Sequence, residues 1–349
     1  MTFKPAFCIY LLVAGCMFFH FHAFAQIDTA GLSSTLERSK DKLGKDAVFL
    51  LYNGGKVMYK KELGKLNTKS VLPAGAASQL LTTALVMTFV QEGKLSLDDK
   101  VSDYLPLFAK HGKGYITIKH CLTHNTGIEA ERGVLKIFQK SKFKNLEEEV
   151  NDYASKKEIE TNPGTQFKYN NIGFNIAGRV LEIISKKPFD RLMQERLLRP
   201  LVMRNTTFTN ENYNDAVSPA TGVTTTAADY INFLAMLANK GTFNNKIFLD
   251  ASSLEVMFKT LYQPGEVMNA PKPVEGMLYG TGVWILEENA NGKATIVAAP
   301  SLFGSWPVAN LCSGYAFVLL TKELSNDTAK EVMNRLLSVL EPHNKPCTN

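Results

Sequence analysis

The alternation of apolar and polar positions divides the chain into a sheet-forming start, a long helical middle and a sheet-forming end. Leu32, Leu36 and Leu43 mark one side of a charged segment and predict an N-terminal helix. Residues 46–52 are apolar after Asp46 and predict a buried strand, and 56–63 return as a second. Asn53-Gly54-Gly55 between them predicts a hairpin turn, because Asn and Gly tolerate positive φ. Residues 77–91 carry no charge and predict a central buried helix. Further helices are predicted over 116–124, 145–157, 172–187, 188–197 and 226–240. Strand character resumes at 280–286, 294–297 and 315–321, whereas Leu302 to Ala309 reads as irregular. A closing helix places Val332, Leu336 and Leu340 on one face, with Ser325 or Asn326 as its cap. Strands at both ends and helices between predict an α+β fold. The sheet layer takes residues 30–75 and 265–345 and the helical layer 76–264, with a ligand cleft between them.

Composition adds bounds. At 349 residues and 45% hydrophobic, the chain is ordinary globular material, with neither an internal repeat nor a low-complexity linker. Its formal charge of +6 is carried without a long basic run, which argues against a nucleic-acid partner. The first residues differ. Lys4 precedes the uncharged stretch Ala6 to Phe24, which ends Ala23-Phe24-Ala25. This predicts a signal peptide over 1–25, a mature start at Gln26 for the domain 26–349, and export to the periplasm or extracellular space. Val13-Ala14-Gly15-Cys16 competes as a lipoprotein site with Cys16 acylated, and a retained anchor is a third option. No later run of 18 uncharged apolar residues occurs, so the only membrane contact expected is through this N-terminal segment. Cys121, Cys312 and Cys347 are too few for a disulfide scaffold or a zinc site, which leaves a Cys312–Cys347 pair as the one bridge considered.

Four stretches in order carry a resemblance. They are Glu92 to Pro106, Ile116-Thr-Ile-Lys-His-Cys-Leu-Thr-His-Asn-Thr-Gly-Ile128, Pro163-Gly-Thr-Gln-Phe-Lys-Tyr-Asn-Asn171, and Arg199-Pro-Leu-Val-Met203. Over roughly residues 30 to 340 the chain resembles the serine β-lactamase, penicillin-binding-protein and esterase family. That resemblance implies an antiparallel sheet from both chain ends, a large helical insertion, and a three-part site. A Ser attacks a carbonyl, a Lys one helical turn later eases removal of its proton, and a Tyr relays that proton while backbone donors hold the oxyanion.

On the family's spacing the Ser falls at Ala76 and the Lys at Gln79. Ser78 lies about 200° around a helix from Ala76 and is expected to face away. Two other Ser-x-x-Lys matches, Ser39–Lys42 and Ser141–Lys144, sit out of order in segments expected to be charged and exposed. Tyr169-Asn170-Asn171 keeps the family's Tyr-x-Asn. The third motif, Lys-Thr-Gly or His-x-Gly, falls at Ala298-Ala299-Pro300, where Pro300 would remove an N–H from a substrate-binding edge. His120 and His124 read as structural hydrogen-bonding residues. The 208–221 stretch is shorter than in many relatives.

Two readings follow. In the first, the protein is a non-catalytic exported binder or regulator. Tyr169, Asn171 and Gln79 then hold a small amide or peptide, such as a peptidoglycan fragment, or the ligand is a protein partner. In the second, it is an active serine hydrolase of β-lactamase, D-alanyl-D-alanine carboxypeptidase or esterase type with a rearranged site. Neither implies a metal or cofactor.

Overall fold

The two ends of the chain meet in one sheet. The computed structural model describes residues 27–130, 141–208, 216–322 and 327–340. Seven strands, β1 (Ala47–Asn53), β2 (Lys56–Leu63), β3 (Leu278–Tyr279), β4 (Trp284–Glu288), β5 (Ala294–Ala298), β6 (Ser305–Asn310) and β7 (Tyr315–Thr321), lie in the order β2-β1-β7-β6-β5-β4-β3. Every neighbouring pair is antiparallel. β1 is apolar at successive positions because both its faces are covered. Val48, Leu50 and Tyr52 join the core under the helical layer, while Phe49 and Leu51 join the core under the two terminal helices.

Those terminal helices are α1 (Thr29–Arg38) and α8 (Asp327–Leu340). Leu32 and Leu36 from one and Val332, Leu336 and Leu340 from the other are buried in the same cluster. The cap expected for α8 lies outside the described residues. The helical layer contains α2 (Ala77–Gln91), α3 (Ile118–Leu122), α4 (Leu146–Ser155), α5 (Ile172–Ser185), α6 (Ala227–Ala238) and α7 (Ala251–Phe258), joined by short helical turns and loops. Residues 77–89 of α2 are all buried, as an uncharged helix packed on every side requires. Polar bonds fix its height: Tyr230 donates to the Ala77 carbonyl at 2.8 Å and Thr82 to the Pro219 carbonyl at 2.7 Å. Gly282, at φ +70°, passes so close that a Cβ would stand 1.9 Å from the Thr83 hydroxyl. Among the described residues no helix is long and apolar enough to cross a membrane.

Several sequence expectations need correction. Of the stretch read as irregular, Leu302 to Gly304 is a turn, but residues 305–309 belong to the buried central strand β6. Pro307 hid it, since proline normally argues against a central strand. The helix expected over 188–197 is an α-turn, Phe189–Met193, followed by a π-turn, Gln194–Leu198. The strand at 280–286 starts at Trp284, because the chain turns at Gly280–Val283. In the hairpin, positive φ falls on Gly54 and Gly55 and not on Asn53. Ser39, expected to be exposed, is buried, and its would-be partner Lys42 pairs with Glu331. Cys121 is a buried free thiol and Cys312 is disulfide-bonded, while Cys347 lies outside the described residues.

Candidate functional site

The start of α2 is where the sequence expects chemistry. Gly75 precedes it at φ +51°, and Ala76 is its N-cap. A helix start leaves several N–H groups without intrahelical partners. Here each is used within the chain. Ala77, Ser78 and Gln79 donate to the carbonyls of Ala74, Gly75 and Ala76 at 3.1, 2.9 and 3.0 Å. The Ala76 N–H donates to the Ser301 hydroxyl at 3.3 Å. Ser301 also accepts from the Phe303 N–H at 3.1 Å, and Ser305 donates to the Ala74 carbonyl at 2.9 Å. The loop between β5 and β6 is thus strapped across residues 74–76. A Cβ on Gly75 would stand 2.3 Å from the Ser301 hydroxyl and 2.6 Å from the Phe303 ring.

Ser78 points the other way, as its helical angle predicts: it is fully buried and accepts from the Val223 N–H at 3.0 Å. Gln79 faces Tyr169, whose phenol feels it as a hydrogen-bonding neighbour. Both are closed in, at 3% and 4% exposure, so a ligand reaches them only if the wall moves. No acceptor completes a well-formed bond to Gln79 Nε2.

Tyr169 leads into the N-terminus of α5, and its own N–H is fixed by the Met268 carbonyl at 3.2 Å. The turn after it is built by Asn170, whose Oδ1 accepts from Ile172 N at 2.9 Å and whose Nδ2 donates to the Lys168 carbonyl at 2.7 Å. Asn171 is the half-buried N-cap residue. Beside Tyr169 lies His124, with ring centroids 4.4 Å apart, in an aromatic cluster with Phe167, Phe174 and Tyr279. His124 Nδ1 accepts from the Asn170 N–H at 3.3 Å, so the neutral ring carries its proton on Nε2. Burial pushes its pKa down to about 3. Burial also holds the Tyr169 proton well above the ordinary phenol range, against the lowering effect of the Gln79 amide. The centre of this site is therefore neutral at pH 7, and Tyr169 is poorly suited to accept a proton. His120 serves a cap, accepting from Thr117 N on Nδ1 at 3.2 Å.

The third motif does not reach this centre. Ala298 is on β5, paired with Trp284 on one side and Val308 on the other, so the strand is no open edge there. Its methyl packs with Ile296 and Trp306 in the cluster under the terminal helices. Pleating puts Ala299 on the opposite face. Pro300 is buried at the turn, and the residue that contacts Ala76 is Ser301. Sequence reasoning missed Ser301, since its role depends on a bond to a residue 225 positions away. It also missed Glu149, a buried carboxylate that accepts from Tyr153, Asn175 (3.2 Å) and Ser141 (3.2 Å) and ties α4 to α5. The visible signal for Glu149 was Tyr153 one turn on, at the helical spacing that brings side chains together.

An antiparallel sheet from both chain ends, with the buried start of a central helix set against it, defines the scaffold class of the serine-reactive penicillin-recognising proteins and their esterase relatives. Residues 38–340 match the Beta-lactamase family, and the chain belongs to it. Protein flp of Staphylococcus aureus (strain MW2) is 26% identical over 181 residues, covering 48% of this chain and 35% of that protein. Beta-lactamase-like protein 4 of Dictyostelium discoideum is 23% identical over 298 residues, covering 68% of this chain and 50% of that protein. The matches thus span half or less of these relatives' length. Among solved structures, a β-lactamase-like protein from Bacteroides dorei DSM 17855 superposes with TM-score 0.77 at 24% identity, covering 90% of this chain and all of that one. A penicillin-binding-protein homolog from Caulobacter crescentus superposes with TM-score 0.73 at 14% identity, covering 89% and 97%. At these identities they establish the fold alone.

Proposed function

We propose that the protein is an exported, non-catalytic member of its family that works as a binder or regulator at the remnant of the substrate cleft. The observation that carries this reading is the bond from the Ala76 N–H to Ser301. A methyl stands where the resemblance expects a nucleophile, and the donor beside it, which an oxyanion would need, is already used. Gln79 supplies neither a base nor a positive charge. Asn171 is half-buried, and Tyr169 and Gln79 add neutral hydrogen-bonding groups once the wall that encloses them moves, a set that suits a neutral amide or short peptide, with peptidoglycan fragments the first class to try. Each neutral bond contributes about 0.5–1.5 kcal/mol, so affinity is modest unless apolar burial adds to it.

The test is titration with peptidoglycan stem peptides and D-amino-acid dipeptides, followed by calorimetry or NMR shift mapping. Binding that weakens several-fold in Asn171→Ala and Tyr169→Phe supports the reading. Binding left unchanged by both, in folded variants, refutes a role for the cleft. Export is tested by the mature N-terminus: Gln26 fits secretion, a diacylated Cys16 fits the lipoprotein form, and an intact Met1 on a cytosolic protein contradicts both.

One observation favours the second reading, an active hydrolase with a rearranged site. Ser301 places a hydroxyl at the α2 start. Against it, two N–H groups already point at that oxygen, and among the described residues no base is hydrogen-bonded to it.

A further inference from the structure

The bases form no run along the sequence, yet the fold gathers many of them. Residues 37–69 contain nine Lys and Arg against four Asp and Glu, a net of +5 in a chain whose total is +6. They lie at the end of α1, on the turn that links it to β1, on the β1–β2 hairpin and on the segment following it. β2 is an edge of the seven-stranded sheet, and Lys56, Lys60, Lys65 and Lys69 are exposed on or just after it. Lys61 and Lys60 have carboxylate partners in Glu37 and Glu62, at 2.6 and 3.5 Å. Among the described residues no ion pair neutralises Lys45, Lys56, Lys65 or Lys69. Beside the hairpin turn, Val57 and Met58 are nearly half exposed, an apolar tip next to a basic strand.

We propose that this hairpin face docks on an anionic lipid bilayer. Lysines on an edge strand also discourage sheet-to-sheet pairing. That role explains neither the two exposed apolar residues at the tip nor the concentration of the chain's net charge in one region. Basic side chains near an anionic surface, with small apolar groups reaching the headgroup boundary, are the complementary chemistry for such a bilayer. Position adds to this. In the form acylated at Cys16 the lipid is tethered shortly before α1, which lies against β2 through the Ser33–Tyr59 hydroxyl contact at 2.6 Å and the Glu37–Lys61 pair. The face is independent of the cleft, and the proposal does not rest on the ligand-binding reading.

The experiment uses the full chain with vesicles of phosphatidylcholine, or of phosphatidylcholine with phosphatidylglycerol. The readout is the ratio of partition into the anionic vesicles to partition into the neutral ones. An apolar N-terminus favours both compositions alike, so it does not set this ratio. Lys56→Gln with Lys60→Gln is expected to lower the ratio roughly thirtyfold, at about fivefold per lysine. Raising the salt to about 0.5 M is expected to bring it close to one. Lys259→Gln with Lys293→Gln, exposed near the opposite end of the sheet, removes the same charge and is expected to leave the ratio unchanged. Val57→Ser with Met58→Ser is expected to weaken binding to both compositions. A wild-type ratio near one at low salt overturns the proposal, as does an equal loss in the two lysine pairs. Melting curves on every variant separate a lost surface from a lost fold.

Discussion

Ser301 Oγ lies 3.3 Å from the backbone nitrogen of Ala76 and accepts its N–H. The contact joins the loop between β5 and β6 to the N-cap residue of the central helix. It fills with the protein's own oxygen the place where a helix start would otherwise present a donor to a ligand oxygen. The neighbouring N–H groups of Ala299 and Ser301 are used as well, by the carbonyls of Pro307 and Ser305 at 3.2 and 2.8 Å.

Reinstating the two missing side chains is therefore not enough. Ala76→Ser with Gln79→Lys is expected to hydrolyse penicillins and p-nitrophenyl esters no faster than the wild type within about tenfold, since oxyanion donors alone account for orders of magnitude in rate. The lysine would also enter a site 3% exposed whose neighbours are neutral, so the double variant is expected to lose about 2 kcal/mol or more of stability. Steady-state rates and urea melts check both. A rise in hydrolysis of a thousandfold would show that the strap is no obstacle.

The strap is also structural. Ser301→Ala leaves the Ala76 N–H buried without its partner, and is expected to cost about 1–3 kcal/mol. Gly75→Ala adds a methyl at positive φ, 2.3 Å from the Ser301 oxygen, and is expected to cost more than about 2 kcal/mol. Gly276→Ala, also at positive φ but with open space around it, is the control for backbone strain alone. Denaturant midpoints that fall equally for Gly75→Ala and Gly276→Ala would mean the loop does not press on Gly75.

His124 predicts a pH dependence. Its folded pKa of about 3 lies below the usual 6.5, so the unfolded chain binds more protons between those values. The stability it contributes is complete above about pH 6.5 and is lost progressively as pH falls towards 3, by up to about 1.4 kcal/mol per pH unit. His124→Phe keeps an aromatic ring and removes the titration. Urea midpoints compared at pH 7.5, 5.5 and 4.5 are expected to fall less steeply for the variant, and parallel slopes would contradict the assignment.

Glu149 acts in the opposite sense. Burial raises its pKa above 4.5 against the hydrogen bonds from Tyr153, Ser141 and Asn175, so its contribution is lost as pH rises through the folded value. Glu149→Gln is expected to be as stable as the wild type or more so at pH 7.5, with the difference shrinking towards pH 4.5. Glu149→Ala strands the three donors and is expected to cost about 2 kcal/mol at either pH. A Gln variant as unstable as the Ala variant would mean that the charge itself holds α4 to α5.

Much of the architecture was legible because its signals are local. The uncharged run in α2, the apolar run in β1 and the four-residue spacing in α8 each follow from one element's own periodicity. β6 was not legible, since Pro307 contradicts a central strand unless the register around it is known. Within the site, helix geometry gave the orientation of Ser78, and motif spacing put forward Ala76, Gln79 and Tyr169 as candidates, of which the fold brings Gln79 and Tyr169 together. At the third motif, a pleated strand sends neighbouring side chains to opposite faces, so Ala298 turns towards the terminal helices and Ala299 towards the helical layer, an orientation that motif spacing does not encode. The Ser301 contact and the aromatic enclosure of His124 join distant segments, and no local pattern encodes them.

The most direct measurement of the central claim is covalent labelling of the purified chain by a fluorescent penicillin and by a fluorophosphonate, read as intact-protein mass and mapped by peptide analysis. A site without a nucleophile gives no adduct at concentrations that fully label an active penicillin-binding protein run alongside. A stoichiometric adduct on any serine, with Ser301 the first to examine, would contradict it and establish a working hydrolase with a rearranged site.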